Sequence, residues 1–582
     1  MPPVQQPITD PVFEAINIEL VPGSGGEDLQ EQALEALRRA MRESLDREPE
    51  GWAVEPIHES RPEAFDLVPP EEGSLTADQA WDLTYALQRQ PGVADAEPSF
   101  AILQDNVERV EEEEEEVEEG ALEAMAAQLE SVEGCQAPAS VDEAEFDWSP
   151  KLVAVFAAWN QIPPAGGERF GKGIRIGHPD SGFIRHPELH DPGTGEPNRL
   201  RADLGFDFVD DDPNAEHPDG DHGLGTASVL MSSERVILPA GFVTGVAPEA
   251  EIVPLRVAKK RPLVPVSILF ESGMNRLRKA IYFAVDRADC HVISISLGWL
   301  RNKEVHKAVK HAVQNNVIVI AAAGNRVPFV VWPAAYPEVI AVAGCTSTRG
   351  KWSGSSSGRE VSVTGPARGV WKAADGQQRV VQSDGTSFAT PTTAGIAALW
   401  LAFHGRQALI ARYGSEFRLA TVFRWVLEKA CDPPPANHGG EFGRGIVNAC
   451  RTLTTPLPTL DELRTGTEAP LLEAFAESAP SPVVTSGVET VARAFPNVPR
   501  PVLEERLAPL FQPALESAND LAGRTRGVGE ELVFQIATSP ELRRAILGGP
   551  PAVLETNEQP AFEAVREQTR GRFSRRLRER IG

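Results

Sequence analysis

The pattern of apolar and polar positions in residues 1–105 predicts a small module that folds by itself. Apolar residues at helical spacing alternate there with short extended runs. The predicted elements are strands at 16–20, 52–57, 64–68 and 93–100 and helices at 29–45 and 77–87. Their order is βαββαβ, which is typical of a compact α+β domain.

Residues 106–145 differ sharply in composition. They contain an unbroken run of glutamates at 111–116, whose carboxylates repel one another and add nothing to a core. We therefore interpret this stretch as an acidic, flexible linker, in preference to a segment that recognises a specific partner.

Residues 146–455 predict a large α/β domain. Five apolar runs rich in Val and Ile lack helical periodicity and are predicted to be buried strands, with helices between them. These strands lie at 174–177, 252–257, 291–297, 317–323 and 339–343. Such alternation indicates a doubly wound parallel sheet, in which sites lie at the carboxyl ends of the strands.

Residues 456–582 predict a helical C-terminal extension interrupted by prolines. Helices are expected at 471–477, 488–494, 502–510 and 530–537. The last stretch, 562–581, carries seven arginines against three glutamates. This composition indicates a solvated basic tail or, alternatively, a segment that docks a protein partner.

Charge and hydropathy exclude several classes of protein. A net charge of -28 over 582 residues argues against nucleic-acid binding, because phosphate neutralisation needs clustered Lys and Arg. No apolar run has the length of a membrane span. The first twenty residues lack the basic and then apolar pattern of a secretory signal, so we expect a cytoplasmic location.

The five cysteines form no CxxC pair and no metal-ligand spacing, so a thiol or zinc mechanism is not expected. Cys290 and Cys345 adjoin apolar runs and are predicted to be buried, inert thiols. The sequence leaves open a disulfide between Cys431 and Cys450.

Three segments each place a reactive side chain beside glycine. Asp180 ends a predicted buried strand, His222 opens a helix of small residues, and Ser387 opens another helix. A serine hydroxyl becomes a nucleophile when an imidazole removes its proton, and the imidazole needs a carboxylate to fix its tautomer. Each residue alone has an ordinary role in a turn, a polar contact or a helix cap. Together, in the chain order Asp, His, Ser, they form one of the known arrangements of the catalytic triad.

These segments resemble the three active-site signatures of the subtilisin-like serine proteases, and residues 385–391 match the serine signature at every position. The resemblance continues through 244–248, 294–298, 321–325 and 336–342 and covers roughly half of the chain. It implies a subtilisin-like fold and a serine endopeptidase that forms an acyl-enzyme on Ser387 and needs no cofactor for its chemistry.

The resemblance also implies binding roles. Asn325 follows a strand of small residues, and in the family the matching amide donates to the oxyanion together with the backbone N–H of the serine. Arg326 either favours acidic substrate side chains or faces solvent. An extended peptide is the implied substrate. The pocket for the residue before the scissile bond is expected to be lined by Ser296, Leu297, Gly298 and Gly324.

A loop rich in aspartate offers oxygen ligands to a hard cation. Asp207, Asp210 and Asp212 have a spacing that predicts either a structural calcium site or an acidic surface turn. The segment after His222 and the loop at 232–242 depart from the family pattern, which bears on calcium and leaves the triad intact.

The family resemblance gives the N-terminal module a meaning. It is similar to the inhibitory prodomain, which implies a zymogen that is capped by its own prodomain and cleaves itself between about residues 102 and 145. A permanent accessory domain is the alternative.

The predicted partners are a protein or peptide substrate, the chain's own prodomain and a protein that binds the C-terminal extension. Two other functions stay open: an effector protease controlled by such a partner, and an inert peptide-binding pseudo-protease.

Overall fold

The computed structural model describes residues 11–21, 29–71, 73–105, 134–190, 199–232, 241–264, 267–298, 300–375, 379–436, 438, 441–466, 487–511, 527–547 and 570–581. The glutamate run at 111–116 and the helix expected at 471–477 lie outside these residues. No helix in the described ranges combines the length and apolarity needed to cross a membrane.

The N-terminal module is a four-stranded antiparallel sheet that packs with two helices, in the order βαββαβ. Its central strand carries Phe13, Ile16 and Ile18, which are buried. The second helix begins with a cap in which the Gln79 side chain accepts from the backbone N–H of Thr76 at 3.1 Å. The elements are β1 (Val12–Leu20), α1 (Leu29–Leu45), β2 (Ala53–His58), β3 (Arg61–Val68), α2 (Ala77–Leu87) and β4 (Val93–Asp105).

The central domain is built on a seven-stranded parallel sheet with the strand order β13-β12-β11-β10-β5-β7-β6. The predicted doubly wound α/β fold is confirmed, and all five expected strands lie in this sheet. The elements in chain order are α3 (Trp148–Leu152), α4 (Val155–Trp159), β5 (Arg175–Asp180), β6 (Phe206–Asp207), α5 (Asp221–Met231), β7 (Glu251–Arg256), β8 (Ala258–Val264), β9 (Ser267–Gly273), α6 (Met274–Asp286), β10 (Val292–Ile295), α7 (Lys303–Gln314), β11 (Ile318–Ala322), β12 (Ile340–Cys345), β13 (Val361–Pro366), β14 (Val370–Ala374), β15 (Arg379–Ser383), α8 (Thr386–His404), α9 (Arg406–Tyr413), α10 (Leu419–Ala430) and α11 (Ala449–Thr454).

One sheet joins the N-terminal module to the central domain. The hairpin β8–β9 leaves the central domain after β7, and β9 pairs antiparallel with β4. The result is a six-stranded sheet with the order β2-β3-β1-β4-β9-β8. The pattern of the sequence did not predict this hairpin, because its partner strand lies in another unit of the chain.

Buried polar groups connect the module to α6 and α7. Nδ2 of Asn17 donates to Oδ1 of Asp66 at 2.8 Å and to Oδ1 of Asn275 at 3.0 Å. Nδ2 of Asn302 donates to Oδ1 of Asn17 at 3.3 Å. Asp66 also pairs with Arg278, and both side chains are fully buried. Because each of these groups loses its water, separating the two units would leave them unsatisfied unless solvent enters.

The module also supplies carboxylates to the first turn of α7. Glu97 accepts from the backbone N–H of Lys303 at 2.7 Å, and Asp95 pairs with the Lys303 ammonium at 3.0 Å. An N-terminal helix turn carries unpaired N–H groups and a partial positive charge, so a carboxylate there is stabilising. The module therefore completes a helix of the central domain.

The stretch before the central domain is packed, which corrects the prediction of a linker that extends to residue 145. Cys135 forms a disulfide with Cys450, and the backbone N–H of Val141 donates to the carbonyl of Ser347 at 3.1 Å. The pairing of Cys431 with Cys450, which the sequence left open, does not form, since Cys431 is a buried free thiol.

Cys290 and Cys345 are buried free thiols, as predicted. Burial raises the pKa of each thiol, because the thiolate would lie in a medium of low dielectric. Both are therefore protonated at neutral pH and unsuited to nucleophilic chemistry.

The C-terminal extension packs against the N-terminal module. Phe534 contacts the rings of Trp81 and Phe100, with centroid separations of 5.9 and 4.5 Å. The backbone N–H of Arg575 donates to Asp82 at 2.9 Å, so the described part of the basic tail is docked and not fully solvated. The elements are α12 (Leu460–Gly466), α13 (Gly487–Ala494), α14 (Arg500–Leu507), α15 (Gly529–Thr538), α16 (Pro540–Leu547) and α17 (Arg575–Ile581).

A buried carboxyl lies in the contact between the extension and the module. Glu531 of α15 accepts from Tyr85 Oη at 3.0 Å and from the backbone N–H and hydroxyl of Ser574, both at 2.7 Å. Burial raises the pKa of Glu531 to about 7, although these donors oppose the rise.

We expect this contact to weaken as the pH rises. The packed carboxyl has a pKa of about 7, whereas a solvated glutamate has one of about 4.3. The packed state therefore holds more protons between these values, and its stability falls as the pH increases through that window. Hydrogen exchange of α15, corrected for intrinsic rates, should report faster opening near pH 8 than near pH 5.

The variant Glu531→Gln mimics the neutral carboxyl and should reduce this pH dependence. Glu505→Gln, on the exposed face of α14, is the control and should leave it unchanged. An undiminished pH dependence in Glu531→Gln would contradict the assignment.

Candidate active site

Three elements of the central domain carry the predicted triad. Asp180 is the last residue of β5, His222 lies in the first turn of α5, and Ser387 lies in the first turn of α8. The helices α5 and α8 pack against each other. The strand end and the two helix starts lie at the carboxyl edge of the parallel sheet, where α/β proteins build their sites.

Asp180 and His222 form a short, buried pair. Nδ1 of His222 lies 2.6 Å from Oδ1 of Asp180, and the two side chains are 6% and 0% exposed. Oδ1 of Asp180 also accepts from the backbone N–H of Ser181 at 2.7 Å, and Oδ2 accepts from the Thr226 hydroxyl at 3.2 Å. Because the carboxylate accepts at Nδ1, the proton of the neutral imidazole lies on Nδ1 and Nε2 is the basic nitrogen.

The two partners shift each other's proton affinity. Burial alone would raise the pKa of Asp180, but the charge and hydrogen bond of His222 outweigh it, so the pKa is lowered. Burial alone would lower the pKa of His222, but the charge of Asp180 raises it above the ordinary value. The pair thus favours a charged carboxylate beside an imidazole that readily takes a second proton.

His178 is a neighbour of this pair that the sequence analysis did not select. Its Nε2 lies 3.0 Å from the Thr226 hydroxyl and 3.9 Å from Oδ2 of Asp180. Burial lowers the pKa of His178, so the ring is neutral near pH 7. The available signal was its place two residues before Asp180 on the same strand, which puts both side chains on one face.

Ser387 is hydrogen-bonded to Ser296, the residue that follows β10. Its hydroxyl donates to the carbonyl of Ser296 at 3.2 Å, and the Ser296 hydroxyl donates to the carbonyl of Ser387 at 2.9 Å. This reciprocal pair fixes the first turn of α8 beside residues 296–298. The structure therefore brings together the nucleophile candidate and one predicted wall of the substrate pocket.

Asn325 lies on the other side of the same turn. Its Oδ1 accepts from the backbone N–H of Thr386 at 3.0 Å and from the Thr386 hydroxyl at 2.8 Å. A Cβ placed on Gly385 would lie 3.5 Å from Nδ2 of Asn325 and 3.5 Å from the Cβ of Ser387. The carbonyl end of Asn325 is thus held by Thr386, and the donor end faces the turn that carries Ser387. Arg326 is exposed.

The predicted pocket residues lie where backbone segments approach closely. A Cβ on Gly298 would stand 2.1 Å from the carbonyl oxygen of Trp332, and one on Gly324 would stand 2.8 Å from a methyl group of Val331. Both glycines have positive φ, at 151° and 107°. No other residue would fit without moving the 331–332 segment. Ser296 and Leu297 are buried.

The predicted calcium loop is held by an arginine instead. Nη1 of Arg256 donates to Asp207 at 2.7 Å and to Asp210 at 2.6 Å, and the Arg256 side chain is 2% exposed. Asp212 accepts from the backbone N–H of Asn214 at 2.7 Å. In the described part of the chain these three carboxylates do not gather into one ligand set. The guanidinium pairs with two of the three carboxylates, so of the two alternatives the acidic surface turn is supported and the calcium site is not.

Comparison with known proteins places these features in a family. The model of the subtilase family matches residues 171–417. Thermitase from Thermoactinomyces vulgaris is 32% identical over 301 residues, which cover 50% of this chain and 93% of thermitase. An intracellular serine protease from Paenibacillus polymyxa is 30% identical over 261 residues, covering 43% of this chain and 71% of that protein.

Solved structures add support for the fold. The crystal structure of fervidolysin from Fervidobacterium pennivorans, described as a keratinolytic enzyme related to subtilisin, superposes with a TM-score of 0.52 at 19% identity. The match covers 78% of this chain and 63% of fervidolysin. Because the matched domain contains the segments around Asp180, His222 and Ser387, we conclude that this chain belongs to the subtilase family and is a subtilisin-like serine endopeptidase.

Proposed function

We propose that the chain cleaves peptide bonds through an acyl-enzyme on Ser387. In this proposal His222 is the general base, Asp180 orients it, and Asn325 stabilises the oxyanion together with the backbone N–H of Ser387. The observation that carries the proposal is the buried hydrogen bond of 2.6 Å between His222 and Asp180. Because the Asp180 carboxylate is shielded from solvent, it stabilises the cationic form of His222 more strongly than it would in water.

The proposed reaction consists of acylation of Ser387 followed by hydrolysis of the acyl-enzyme. His222 Nε2 takes the hydroxyl proton as Ser387 Oγ attacks the substrate carbonyl carbon, and the negative charge moves to the carbonyl oxygen. The imidazolium then gives the proton to the leaving amine as the C–N bond breaks. Water repeats the sequence on the ester and releases the acid. No cofactor takes part in this chemistry.

An extended peptide is the proposed substrate. The close approach of residues 298 and 324 to the 331–332 segment supports this, since it leaves backbone groups and not large side chains to face a bound strand.

The N-terminal module is proposed to be an intramolecular inhibitor that is removed by self-cleavage. The described strand β4 ends at Asp105, and the packed segment that follows begins at residue 134. We therefore place the cleavage site within residues 106–133, which lie outside the described residues. Cys135 lies after this site, so the Cys135–Cys450 disulfide would hold the new N-terminus of the mature enzyme to the central domain and would not tether the released module.

The C-terminal extension favours a regulated form of this protease. Its contacts with Trp81, Tyr85 and Phe100 help to hold the module in place. We propose that the module is released when these contacts loosen, for example when a protein partner binds the extension. A permanent accessory domain predicts the same contacts and no release, so mapping the N-terminus after incubation separates the two.

The cellular location stays a prediction. A cytoplasmic location was expected from the first residues, whereas the Cys135–Cys450 disulfide favours an oxidising compartment, because cytosolic reductants keep most thiols reduced.

Replacing the proposed nucleophile tests the central claim. Ser387→Ala should lower kcat by about 10⁶-fold, the size of loss seen when a subtilisin loses its triad serine, and should abolish self-cleavage. Peptide hydrolysis and N-terminal sequencing after incubation measure the two effects. Ser415→Ala, at an exposed position, is the matched control. Unchanged activity of Ser387→Ala would overturn the proposal, and a wild type that stays inert after removal of the module would favour the pseudo-protease alternative.

The oxyanion role of Asn325 predicts a loss confined to kcat. Asn325→Asp keeps the oxygen that accepts from Thr386 but removes the Nδ2 donor, so kcat should fall by about 10²- to 10³-fold with little change in KM. Steady-state kinetics on a peptide substrate measure both. A rise in KM of the same size, with kcat unchanged, would indicate a role in substrate binding.

The pH profile should report the His222–Asp180 pair. His222 must be neutral to accept a proton, and its raised pKa places the acid limb of kcat/KM above about 6.5. Asp180→Asn removes the charge that raises this pKa, so the limb should move to lower pH while kcat falls by about 10⁴-fold. Asp203→Asn, at a side chain 61% exposed, is the control. An unmoved limb would show that another group titrates.

A further inference from the structure

Three metal-ligating side chains meet where the N-terminal module contacts the central domain. His58 is the last residue of β2, Asp286 is the last residue of α6, and His311 lies in the last turn of α7. Nε2 of His58 is 2.9 Å from Oδ2 of Asp286, and Nε2 of His311 is 2.9 and 3.1 Å from the two carboxylate oxygens. We propose that these residues bind a divalent transition metal ion of the zinc class, which bridges the two units.

The ligand set suits such an ion. Two imidazoles and one carboxylate, with a water in the fourth position, form a common coordination set for zinc. Their ligand atoms all lie within 4.8 Å of one another. A tetrahedral ion with bonds of about 2.0–2.1 Å needs ligand atoms about 3.3 Å apart, so small side-chain shifts suffice. Among the residues that the structure describes, no other group of three His, Cys, Asp or Glu side chains is gathered in this way.

Neighbouring groups hold the first histidine ring in place. Nδ1 of His58 lies 2.7 Å from the Ser60 hydroxyl, and the ring stacks on Tyr282 with centroids 4.0 Å apart and an angle of 15°. The backbone N–H of Ser60 also donates to Nδ1 at 3.3 Å, so Nδ1 is an acceptor in the metal-free protein. With Nε2 on the metal, the ring proton would move to Nδ1, which would then donate to the Ser60 hydroxyl and give up the longer contact. Such outer hydrogen bonds fix the tautomer and the ring orientation of a metal ligand.

Charge and exposure also fit a site that exchanges with solvent. The side chains of His58, Asp286 and His311 are 16%, 35% and 21% exposed, so an ion can enter without unfolding. The nearby arginines have their own carboxylates: Arg287 pairs with Glu59, and Arg61 with Glu304. The Asp286 carboxylate is therefore left to the two histidines.

The position of the site would couple metal binding to the association of the two units. His58 belongs to the N-terminal module, while Asp286 and His311 belong to the central domain, so the complete ligand set exists only when the two units are together. An ion that binds the assembled form alone multiplies the equilibrium constant for assembly by one plus the ratio of free metal to Kd, about 100-fold when free metal is 100 times its Kd. The metal would thus retain the module. Binding itself does not depend on the proteolytic role, and only the effect on activation rests on the proposed function.

The first experiment measures binding on the full chain carrying Ser387→Ala, which prevents self-cleavage. Calorimetry with ZnCl₂ and absorbance spectra with CoCl₂ should show one ion per chain in tetrahedral coordination. His58→Gln and His311→Gln should each weaken the affinity at least 10-fold. His306→Gln, on the same helix and bonded to Glu338, should leave it unchanged. Circular dichroism without metal checks that each variant folds.

The second experiment measures retention. A recognition sequence for a specific protease, inserted between residues 105 and 134, allows the Ser387→Ala chain to be cut by an added enzyme, so the result is independent of self-cleavage. Zn²⁺ should slow dissociation of the cut module at least 10-fold on gel filtration, and not in His58→Gln. Absence of stoichiometric binding, or an affinity in the two histidine variants equal to that of the parent Ser387→Ala chain, would overturn the site. Equal dissociation with and without Zn²⁺ would overturn the bridge.

Discussion

The burial of the Asp180 carboxylate is the constraint on which the site depends. A fully buried charge at the end of β5 is stable only if donors surround it, and His222, Ser181 and Thr226 are those donors. Meeting this need fixes the first turn of α5 against the sheet edge. The helix α5 also packs on α8, which carries Ser387. The donors that satisfy the buried carboxylate therefore include the residue proposed as the general base.

The same logic governs the contact between the N-terminal module and the central domain. Its buried part is polar, with Asp66 and Arg278 fully enclosed and Asn17 shared between both units. Such an interface gains little net energy from each pair, yet leaving any one unpaired is costly. It therefore specifies one arrangement of the module and remains separable once water can reach the groups. The C-terminal extension adds aromatic contacts with the module, which bury apolar surface in addition to these polar pairs.

Long-range pairings are where the pattern of the sequence was least informative. Cys135 and Cys450 are 315 residues apart, and no spacing rule selects that pair over Cys431 with Cys450. Asp207 and Asp210 have a spacing suited to calcium, but the partner that claims them is Arg256 on a neighbouring strand. The hairpin β8–β9 was missed for a similar reason, since its strands are completed by β4 of another unit.

Local patterns determined much of this protein by themselves. The helix expected at 29–45 is Leu29–Leu45, and the strand expected at 252–257 is Glu251–Arg256, because amphipathic spacing and apolar runs are decided within each segment. The motifs around Asp180, His222 and Ser387 likewise carried the chemistry of the family. Only the tertiary structure decided which groups share a charge: Thr226 and His178 beside Asp180, Glu97 on the first turn of α7, and Asp286 between two histidines. These partners come from distant elements, and a buried or shared charge selects them through space, which the order of residues along the chain does not encode locally.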